Sequence, residues 1–519
     1  MLVKALLVIV FFGIMVGVGL ICRKKATDVN GFVLGGRAVG PWLTAFAYGT
    51  SYFSAVIFVG YAGQFGWKFG VASTWIGLGN AFLGSMLAWS VLGRRTRLMS
   101  QHLNSATMPE FFGRRFQSSA LKIGASAIVF IFLIPYTASL YNGLSRLFGM
   151  AFHIDYTVCV IVMAVLTGVY VIAGGYMATA INDFIQGLIM IGGIIAVIAA
   201  VLNQNGGFIG SLTAISQVSD PAYPEMNGAF ASFFGPDPLN LICVVVLTSL
   251  GTWGLPQMVQ KFYAIKHEKD IKKGMIISTI FAVIVAGGCY FLGGFGRLFS
   301  DALELNAANI PVDGYDAIIP AMLSNLPDIL IGVIVILVLS ASMSTLSSLV
   351  LASSSTMTLD FIKGTVIKDM DEKKQIFMMR LLIVVFILVS VIIAIIQYRT
   401  NVTFIAQLMG VSWGALAGAF LAPFLYGLYW KRTTKASVWA SFIFGCGVMT
   451  VNLLAKSSLP AFLQSPINCG AFAMVAGLII VPLVSAFTKA PGKTLVDDAF
   501  SCYEQKVLVP ASRSLGEDD

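Results

Sequence analysis

The sequence predicts an all-α membrane protein with about 13 transmembrane helices. Of the 519 residues, 57% are hydrophobic and 11% are charged, and the mean hydropathy is +0.86. Soluble domains carry roughly 25% charged residues, so this composition indicates a chain that lies mostly in a bilayer. A spanning helix needs about 20 mainly apolar residues. We number the segments that meet this requirement as spans 0 to 12: 2–22, 40–65, 72–93, 120–148, 156–175, 180–203, 233–258, 275–297, 327–356, 378–397, 401–428, 436–455 and 467–488.

The basic residues orient these spans. With the N-terminus outside, 27 of the 33 Lys and Arg residues fall in predicted cytoplasmic segments, as the positive-inside rule requires. The external ones are Lys4, Lys68, Arg146, Arg297, Arg399 and Lys456. Membrane orientation therefore explains the net charge of +9, and we expect no nucleic-acid partner. The expected location is a plasma membrane, with the short loops favouring a bacterial inner membrane, and with a cytoplasmic C-terminus.

Two spans carry helix-breaking residues at corresponding positions. Span 1 contains "AYGTSYFSA" (47–55), and span 6 contains "TSLGTWGLPQ" (248–257). Such residues leave backbone carbonyls unpaired, which a bilayer tolerates only where the backbone is buried in protein or lines a wet cavity. Interrupted helices at matching positions of two halves indicate an inverted repeat with a binding site near the bilayer midplane. The alternative is that the small residues only allow helices to pack closely.

This pattern divides the chain into six parts. They are an N-terminal extra helix with a cytoplasmic loop, a first five-helix repeat, an external loop, a second five-helix repeat, two C-terminal extra helices and a cytoplasmic tail. Their predicted bounds are 1–39, 40–203, 204–232, 233–428, 429–488 and 489–519.

Span 8 ends in a hydroxyl-rich stretch, "SASMSTLSSLVLASSS" (340–355). Ala341, Ser344, Thr345 and Ser348 are spaced i, i+3, i+4 and i+7, so they share one helix face. Neutral oxygen ligands suit a hard monovalent cation such as sodium, whereas a divalent ion favours carboxylates. Ser and Thr in membrane helices also bond to their own or a neighbouring helix, and we expect this role for residues 353–356.

One acidic residue lies near the start of span 5. Asp183 occurs in "GGYMATAINDFIQG" (174–187). It is either a first-turn acid favoured by the helix dipole, beside Asn182 as a cap, or an intramembrane carboxylate that faces a cation path. The residues by themselves do not decide between these two roles.

Three segments together resemble the sodium/solute symporter family, whose members include sodium-coupled carriers of proline, sialic acid and galactose. They are "FVLGGRAVGPWLTAFAYGTSYFSAVIFVG" (32–60), "GGYMATAINDFIQG" and "SASMSTLSS" (340–348). The resemblance extends over nearly the whole chain. It implies the leucine-transporter-type fold, with five plus five helices in inverted repeat, broken helices 1 and 6, and a functional monomer.

The resemblance also implies sodium as the coupling ion, bound between the broken helix 1 and helix 8. The implied ligands are three backbone carbonyls and two hydroxyls, those of Thr50, Phe53, Ala341, Ser344 and Thr345. Some family members bind a second sodium with a carboxylate and further hydroxyls. The residues that match this second pattern are Asp183, Ser344, Thr345, Ser347 and Ser348. One or two sodium ions per transport cycle are therefore expected.

The solute is less well determined by the resemblance. Proline carriers of the family have an Asp at the position of Tyr52 and a Trp and a Tyr at those of Thr248 and Thr252, which argues against proline. Nine residues are candidates for contact with the solute: Ser51, Tyr52, Ser54, Asn80, Tyr136, Thr248, Thr252, Trp253 and Gln407. Packing or gating is the alternative role for Tyr136 and Trp253. No Lys or Arg is expected in the cavity, and an amino acid, a carboxylate or a sugar all remain open.

The resemblance implies a sodium-coupled secondary active symporter that imports a small organic solute by alternating access, and no enzymatic activity. The main alternative is a proton-coupled carrier of the same fold in which Asp183 titrates. A channel would need a repeated ring of charged or carbonyl-lining residues, and a membrane enzyme would need clustered His, Asp or Glu at a membrane face. The sequence shows neither pattern.

Overall fold

The computed structural model describes residues 2–152, 154–221, 223–367, 369–400 and 405–504, and every named element in these ranges is helical. Short 3-10 and π-helical turns connect or extend the α-helices. In the first half of the chain the α-helices are α1 Leu2–Cys22, α2 Val29–Leu34, α3 Pro41–Tyr52, α4 Ala62–Phe69, α5 Thr74–Gly79, α6 Arg94–His102, α7 Met108–Arg115, α8 Ser119–Phe152, α9 Tyr156–Asn203 and α10 Gly207–Ser216.

The second half continues in the same manner. Its α-helices are α11 Pro238–Gly254, α12 Pro256–Tyr263, α13 Asp270–Ala282, α14 Gly288–Gly293, α15 Ile318–Leu323, α16 Asp328–Thr356, α17 Lys363–Thr365, α18 Glu372–Thr400, α19 Ile405–Tyr429, α20 Lys435–Leu454, α21 Pro466–Phe487 and α22 Lys493–Ser501.

Nine helical runs among the described residues are long and apolar enough to cross a membrane, or ten if α11 and α12, which meet at 47°, form one span. The predicted all-helical membrane protein is confirmed, but this number is lower than the 13 predicted spans. The difference arises because two continuous runs, Val56–His102 and Tyr156–Asn203, each cover more than one predicted span. In addition, α1 contributes only a shorter apolar segment, Leu6–Cys22.

Both long runs contain a glycine in a backbone conformation that side chains disfavour. Gly70 has φ 61° and ψ −142° at the end of α4, and Gly175 has φ 55° and ψ −149° at a kink inside α9. This region of backbone space is essentially restricted to glycine. A Cβ atom at position 175 would also lie 2.7 Å from the carbonyl oxygen of Phe32. Gly175 therefore allows α9 to kink directly against the segment of α2.

The two predicted helix breaks are present and have nearly the same geometry. Helix α3 ends at Tyr52, Phe53 has φ −85° and ψ 124°, and helical structure resumes at Ala55. Between α11 and α12, Leu255 has φ −83° and ψ 122°. Pro256 then opens α12, which suits a residue that has no N–H and a fixed φ. The predicted interruptions in spans 1 and 6 are confirmed.

Helix α16 lies inside the bundle, where it packs against α1, α3, α8, α9 and α18. Every side chain from residue 340 to residue 356 is buried. The lipid-compatible surface lies elsewhere, for example on α18, where Phe377, Leu388 and Ile392 are exposed. The hydroxyl groups of the 340–355 stretch therefore face protein and not lipid.

We predict that Gly175→Ala destabilises the protein, whereas Gly192→Ala on the same helix does not. The first variant combines a disfavoured backbone conformation, which costs roughly 1–3 kcal/mol, with a Cβ contact to Phe32. Around Gly192 no atom lies within 4 Å of the added Cβ. Thermal unfolding of the purified variants in detergent measures the difference. Equal midpoints for the two variants would show that the kink at Gly175 does not require glycine.

Candidate functional site

The break after α3 meets the hydroxyl-bearing face of α16. The Ser344 hydroxyl donates to the Thr50 carbonyl at 3.0 Å, and the Thr345 hydroxyl lies 3.3 Å from that carbonyl and 3.2 Å from the carbonyl of Phe53. Both hydroxyls are also 3.1 Å from the Ala341 carbonyl. We call these five residues the helix-break cluster. The structure therefore brings together all the residues predicted for the first sodium site.

The end of α3 explains why these carbonyls are available. The last carbonyls of a helix have no N–H four residues further along the helix. Because α3 stops at Tyr52, the carbonyls of Thr50 and Phe53 turn to side chains of α16. Thr50 and Ser344 are fully buried and Phe53 is 1% exposed, so water does not satisfy the carbonyls from outside. Unpaired carbonyls in such surroundings are costly, which makes the contact with α16 a requirement of the fold.

A second polar group lies one turn further along α16. Ser348 Oγ is 2.7 Å from Ser51 Oγ and 3.0 Å from the Nζ atom of Lys261. The same Nζ atom lies 3.8 Å from Asp183 Oδ2. We call Ser51, Asp183, Lys261 and Ser348 the Lys261 cluster. Ser347, also predicted for a second sodium site, instead donates to the Ser344 carbonyl of its own helix at 2.9 Å.

Asp183 is fully buried and lies two turns beyond the kink at Gly175, so it is not a first-turn acid. Asn182 does not cap this segment, because its side-chain amide donates to the Met15 carbonyl of α1 at 3.3 Å. Neither carboxylate oxygen of Asp183 has a hydrogen-bond partner within the described structure. The charge of Asp183 is balanced by the ion pair with Lys261.

Lys261 is the functional candidate that the sequence analysis missed. Its side chain is 3% exposed, and its ammonium group lies 5.0 Å from the centre of the Tyr176 ring. A buried ammonium group is tolerated only when it is paired and hydrogen-bonded. The available signal was a single Lys five residues after the helix-breaking Pro256, within the otherwise uncharged stretch that precedes the predicted cytoplasmic loop. The sequence gives no distance between this Lys and the distant Asp183.

Four of the predicted solute contacts lie close together beside the break that follows α3. Tyr52 and Tyr136 approach the Trp413 ring with centroid distances of 6.0 and 5.9 Å. The hydroxyl of Tyr136 faces Ser54 and Trp413, and Tyr290 faces Tyr52 and Asn80. We call the six residues the aromatic pocket: Tyr52, Ser54, Asn80, Tyr136, Tyr290 and Trp413. Trp413 and Tyr290 were not predicted from the sequence.

Asn80 Oδ1 accepts from the Ser249 hydroxyl at 3.1 Å. Six other polar groups of the aromatic pocket are buried and lack hydrogen-bond partners outside it in the described structure. They are the hydroxyls of Tyr52, Ser54, Tyr136 and Tyr290, the side-chain N–H2 of Asn80 and the indole N–H of Trp413. Buried polar groups are normally hydrogen-bonded, so a group of donors that bond to no residue outside this set is a candidate place for a ligand. All six side chains are uncharged.

The remaining solute candidates lie outside this pocket or use their polar atoms in packing. Thr252 donates to the Gly84 carbonyl and Trp253 to the Leu83 carbonyl, each at 3.0 Å. Thr248 donates within its own helix at 2.8 Å, and Ser51 belongs to the Lys261 cluster. Gln407 is partly exposed near the start of α19, and no hydrogen bond of the described residues joins it to the aromatic pocket.

Two arginines make polar contacts on the predicted cytoplasmic and external sides of the protein. On the predicted cytoplasmic side, Arg37 donates to the carbonyls of Ser105 at 2.6 Å and Tyr263 at 3.1 Å, and burial lowers the pKa of its guanidinium. On the predicted external side, Arg297 pairs with Asp220 at 2.6 Å. Burial lowers the pKa of Arg297, and Asp220 opposes this shift. The residues of the candidate sites are themselves buried.

Comparison with known proteins gives the context of this geometry. Residues 32–445 match the model of the sodium:solute symporter family. The chain is 29% identical to the osmoregulated proline transporter OpuE of Bacillus subtilis over 495 residues, which cover 93% of this chain and 94% of that protein. It is 28% identical to sodium/proline symporter 2 of Staphylococcus saprophyticus over 506 residues, covering 95% and 94%.

Solved structures agree at the level of the fold. A substrate-bound, outward-open Na+-coupled sialic acid symporter superposes with a TM-score of 0.73 at 16% identity, over 95% of this chain and 99% of that one. The manganese transporter of Eremococcus coleocola gives 0.50 at 11% identity, over 86% and 95%. The family match spans most of the chain, and the chain therefore belongs to the sodium:solute symporter family and is a sodium-coupled symporter, a transporter and not an enzyme.

Proposed function

We propose that this symporter imports a small zwitterionic solute, foremost an amino acid, and that the coupling sodium binds at the helix-break cluster. The observation that carries the proposal is the convergence of three carbonyl and two hydroxyl oxygens from α3, the break that follows it and α16, with hydroxyl-to-carbonyl distances of 3.0–3.3 Å. Bound sodium would replace the hydrogen bonds that now join these oxygens. It would thereby connect the broken helix to α16.

The ligand set favours sodium over other ions. All five oxygens are neutral, which suits a monovalent cation that must bind and leave in each cycle. Within the described residues, no group of three or more His, Cys, Asp or Glu side chains is placed to hold a metal ion. A divalent ion would lack the carboxylates it prefers.

The aromatic pocket supports an uncharged or zwitterionic solute. Its members contribute hydroxyl, amide and indole donors but no charged group, so a strongly charged solute would be left without a counter-ion. The helix that resumes at Ala55 adds backbone N–H groups that favour a carboxylate. An amino acid offers such a carboxylate and carries no net charge. The named relatives carry proline, whereas Tyr52, Thr248 and Thr252 depart from the pattern of proline carriers, so the proposal specifies the class and not proline.

We also propose the finer arrangement: 13 membrane spans, with five-helix repeats at 40–203 and 233–428, an external N-terminus, a cytoplasmic C-terminus and a functional monomer. The distribution of Lys and Arg supports the orientation. The positive-φ glycines at 70 and 175 support dividing each long helical run into two spans.

The sodium gradient supplies the energy for accumulating the solute. One charge moving through 100 mV gives about 2.3 kcal/mol, and a tenfold sodium gradient adds about 1.4 kcal/mol. One sodium ion per neutral solute could then sustain accumulation of roughly 500-fold.

The solute class can be tested with a thermal-shift screen of the purified protein in detergent. Amino acids, small carboxylates and sugars are each tested in sodium and in choline buffer at fixed pH. A ligand of the native state raises the unfolding temperature by mass action. We expect an amino acid to stabilise the protein only in sodium. Stabilisation by a sugar or a dicarboxylate would replace the proposed class, and equal shifts in both buffers would contradict coupling and favour a proton-driven carrier.

The ion site can be tested with the double variant Ser344→Ala/Thr345→Ala. Each lost hydroxyl removes one oxygen ligand and weakens ion binding, and a tenfold loss of affinity corresponds to about 1.4 kcal/mol. We expect the sodium concentration for half-maximal stabilisation to rise at least tenfold. The matched control is Ser354→Ala, whose hydroxyl bonds to the Leu351 carbonyl of its own helix. Unchanged sodium dependence in a correctly folded double variant would contradict the assignment.

The solute pocket can be tested with Tyr136→Phe, which removes one hydroxyl from the aromatic pocket. We expect weaker solute binding, by roughly five- to tenfold for one neutral hydrogen bond of about 1–1.5 kcal/mol, and an unchanged sodium titration without solute. The control is Tyr141→Phe, because that hydroxyl is buried on the same helix and is not part of the pocket. Equal solute affinity in both variants would exclude Tyr136 from the binding site.

A further inference from the structure

We propose that the ammonium group of Lys261 occupies the place of a second sodium ion, so that the symporter binds and moves a single sodium ion per cycle. The inference deepens the proposed function, because it requires sodium at the helix-break cluster and defines how many ions accompany the solute. It concerns the group of residues that sequence reasoning assigned to an optional second ion: Asp183, Ser344, Thr345, Ser347 and Ser348.

The contacts of Lys261 are those that a second ion would make. Its Nζ atom lies 3.0 Å from the Ser348 hydroxyl and 3.8 Å from the Asp183 carboxylate. Ser348 is also bonded to Ser51, directly after the ion-site residue Thr50. Thus one hydroxyl and the one carboxylate of the second pattern are already in contact with a cation of the protein itself.

The remaining members of the second pattern are also engaged. The Ser347 hydroxyl donates to the Ser344 carbonyl, and Ser344 and Thr345 contact the carbonyls of the helix-break cluster. A second sodium ion would therefore have to displace the ammonium group from Ser348 and Asp183. It would otherwise lie within a few ångströms of that group in a buried, low-dielectric site, where two positive charges repel strongly.

The charge of the Lys261 cluster leads to the same conclusion. Asp183 and Lys261 are 0% and 3% exposed, and they form a pair with no net charge. Another cation in this cluster would add a second positive charge beside the ammonium group, with one carboxylate for both charges, which is costly in a buried site. The aromatic ring of Tyr176, whose centre lies 5.0 Å from Nζ, favours a cation at this position and supplies no full negative charge.

A tethered cation also differs from sodium in what it can transport. Lys261 is part of α12, so it contributes the positive charge that Asp183 requires without leaving the protein. Lys261 thereby connects α12, which follows the break at Leu255, to α16 and α9. The charge moved per neutral solute is then one, and the accumulation ratio depends on the first power of the sodium gradient.

The test counts bound sodium on the purified full-length protein, with sodium-22 as the only ligand. We expect one ion per wild-type chain and a Hill coefficient of one. Lys261→Met keeps the length and apolar stem of the side chain but removes the charge, and we expect two ions per chain. Lys261→Arg keeps the charge and should bind one. Asp183→Asn added to Lys261→Met should return the number from two to one.

The outcomes separate the two proposals. Wild-type protein that binds no sodium, or that binds one ion insensitive to Ser344→Ala/Thr345→Ala, would overturn the helix-break assignment. Two ions per wild-type chain would overturn the role of Lys261 and leave the first site intact. If Lys261→Met does not fold, Asp183→Asn alone decides: an unchanged single ion supports the proposal, whereas loss of a bound ion contradicts it. A Lys261→Met chain that folds and still binds one ion also overturns the proposal, because Lys261 would then be purely structural.

Discussion

The rest of the structure depends on one constraint, which is that the backbone carbonyls at the break after α3 have no partners within their own helix. A bilayer contains no water to satisfy them, so protein must surround the break and supply partners. Helix α16 provides these partners through Ser344 and Thr345, and this explains why a hydroxyl-rich helix lies in the middle of the bundle. The same oxygens that solve this folding problem are the ligand set that we propose for sodium. In this proposal, structure and ion binding have one physical origin.

In the proposed arrangement, a short piece of chain links the ion site to the solute site. Residues 50–54 contribute the carbonyls of Thr50 and Phe53 to the helix-break cluster, Ser51 to the Lys261 cluster, and Tyr52 and Ser54 to the aromatic pocket. A change in the conformation of this break therefore alters the helix-break cluster, the Lys261 cluster and the aromatic pocket together. A ligand shifts a conformational equilibrium only by its differential affinity for the states, and sodium bound across the break would favour the conformation that completes the pocket. Coupling of this kind requires no long pathway between the sites.

The sequence was sufficient where chemistry is local or where a motif is distinctive. Glycine and proline marked both helix breaks, and the spacing of Ser344 and Thr345 on one face identified a polar contact inside the bundle. It was insufficient where distant segments meet. Lys261 pairs with Asp183 across 78 positions of the chain, and Trp413 joins Tyr52 and Tyr136 from a helix far along it. Periodicity identifies the face of a helix but not the residue that it contacts. The number of spans differed for another reason, since a helix can pass through a kink at Gly175 without a loop that would mark the boundary.

The most direct test of the account is a high-resolution structure of the full-length protein determined in sodium buffer and again in choline buffer. The account predicts a density peak among the carbonyls of Thr50, Phe53 and Ala341 and the hydroxyls of Ser344 and Thr345. The peak should be present only in sodium, and the hydroxyls should then turn from the carbonyls towards the ion. The same density in both buffers, or a sodium-dependent peak elsewhere with this cluster still hydrogen-bonded to itself, would contradict the central claim.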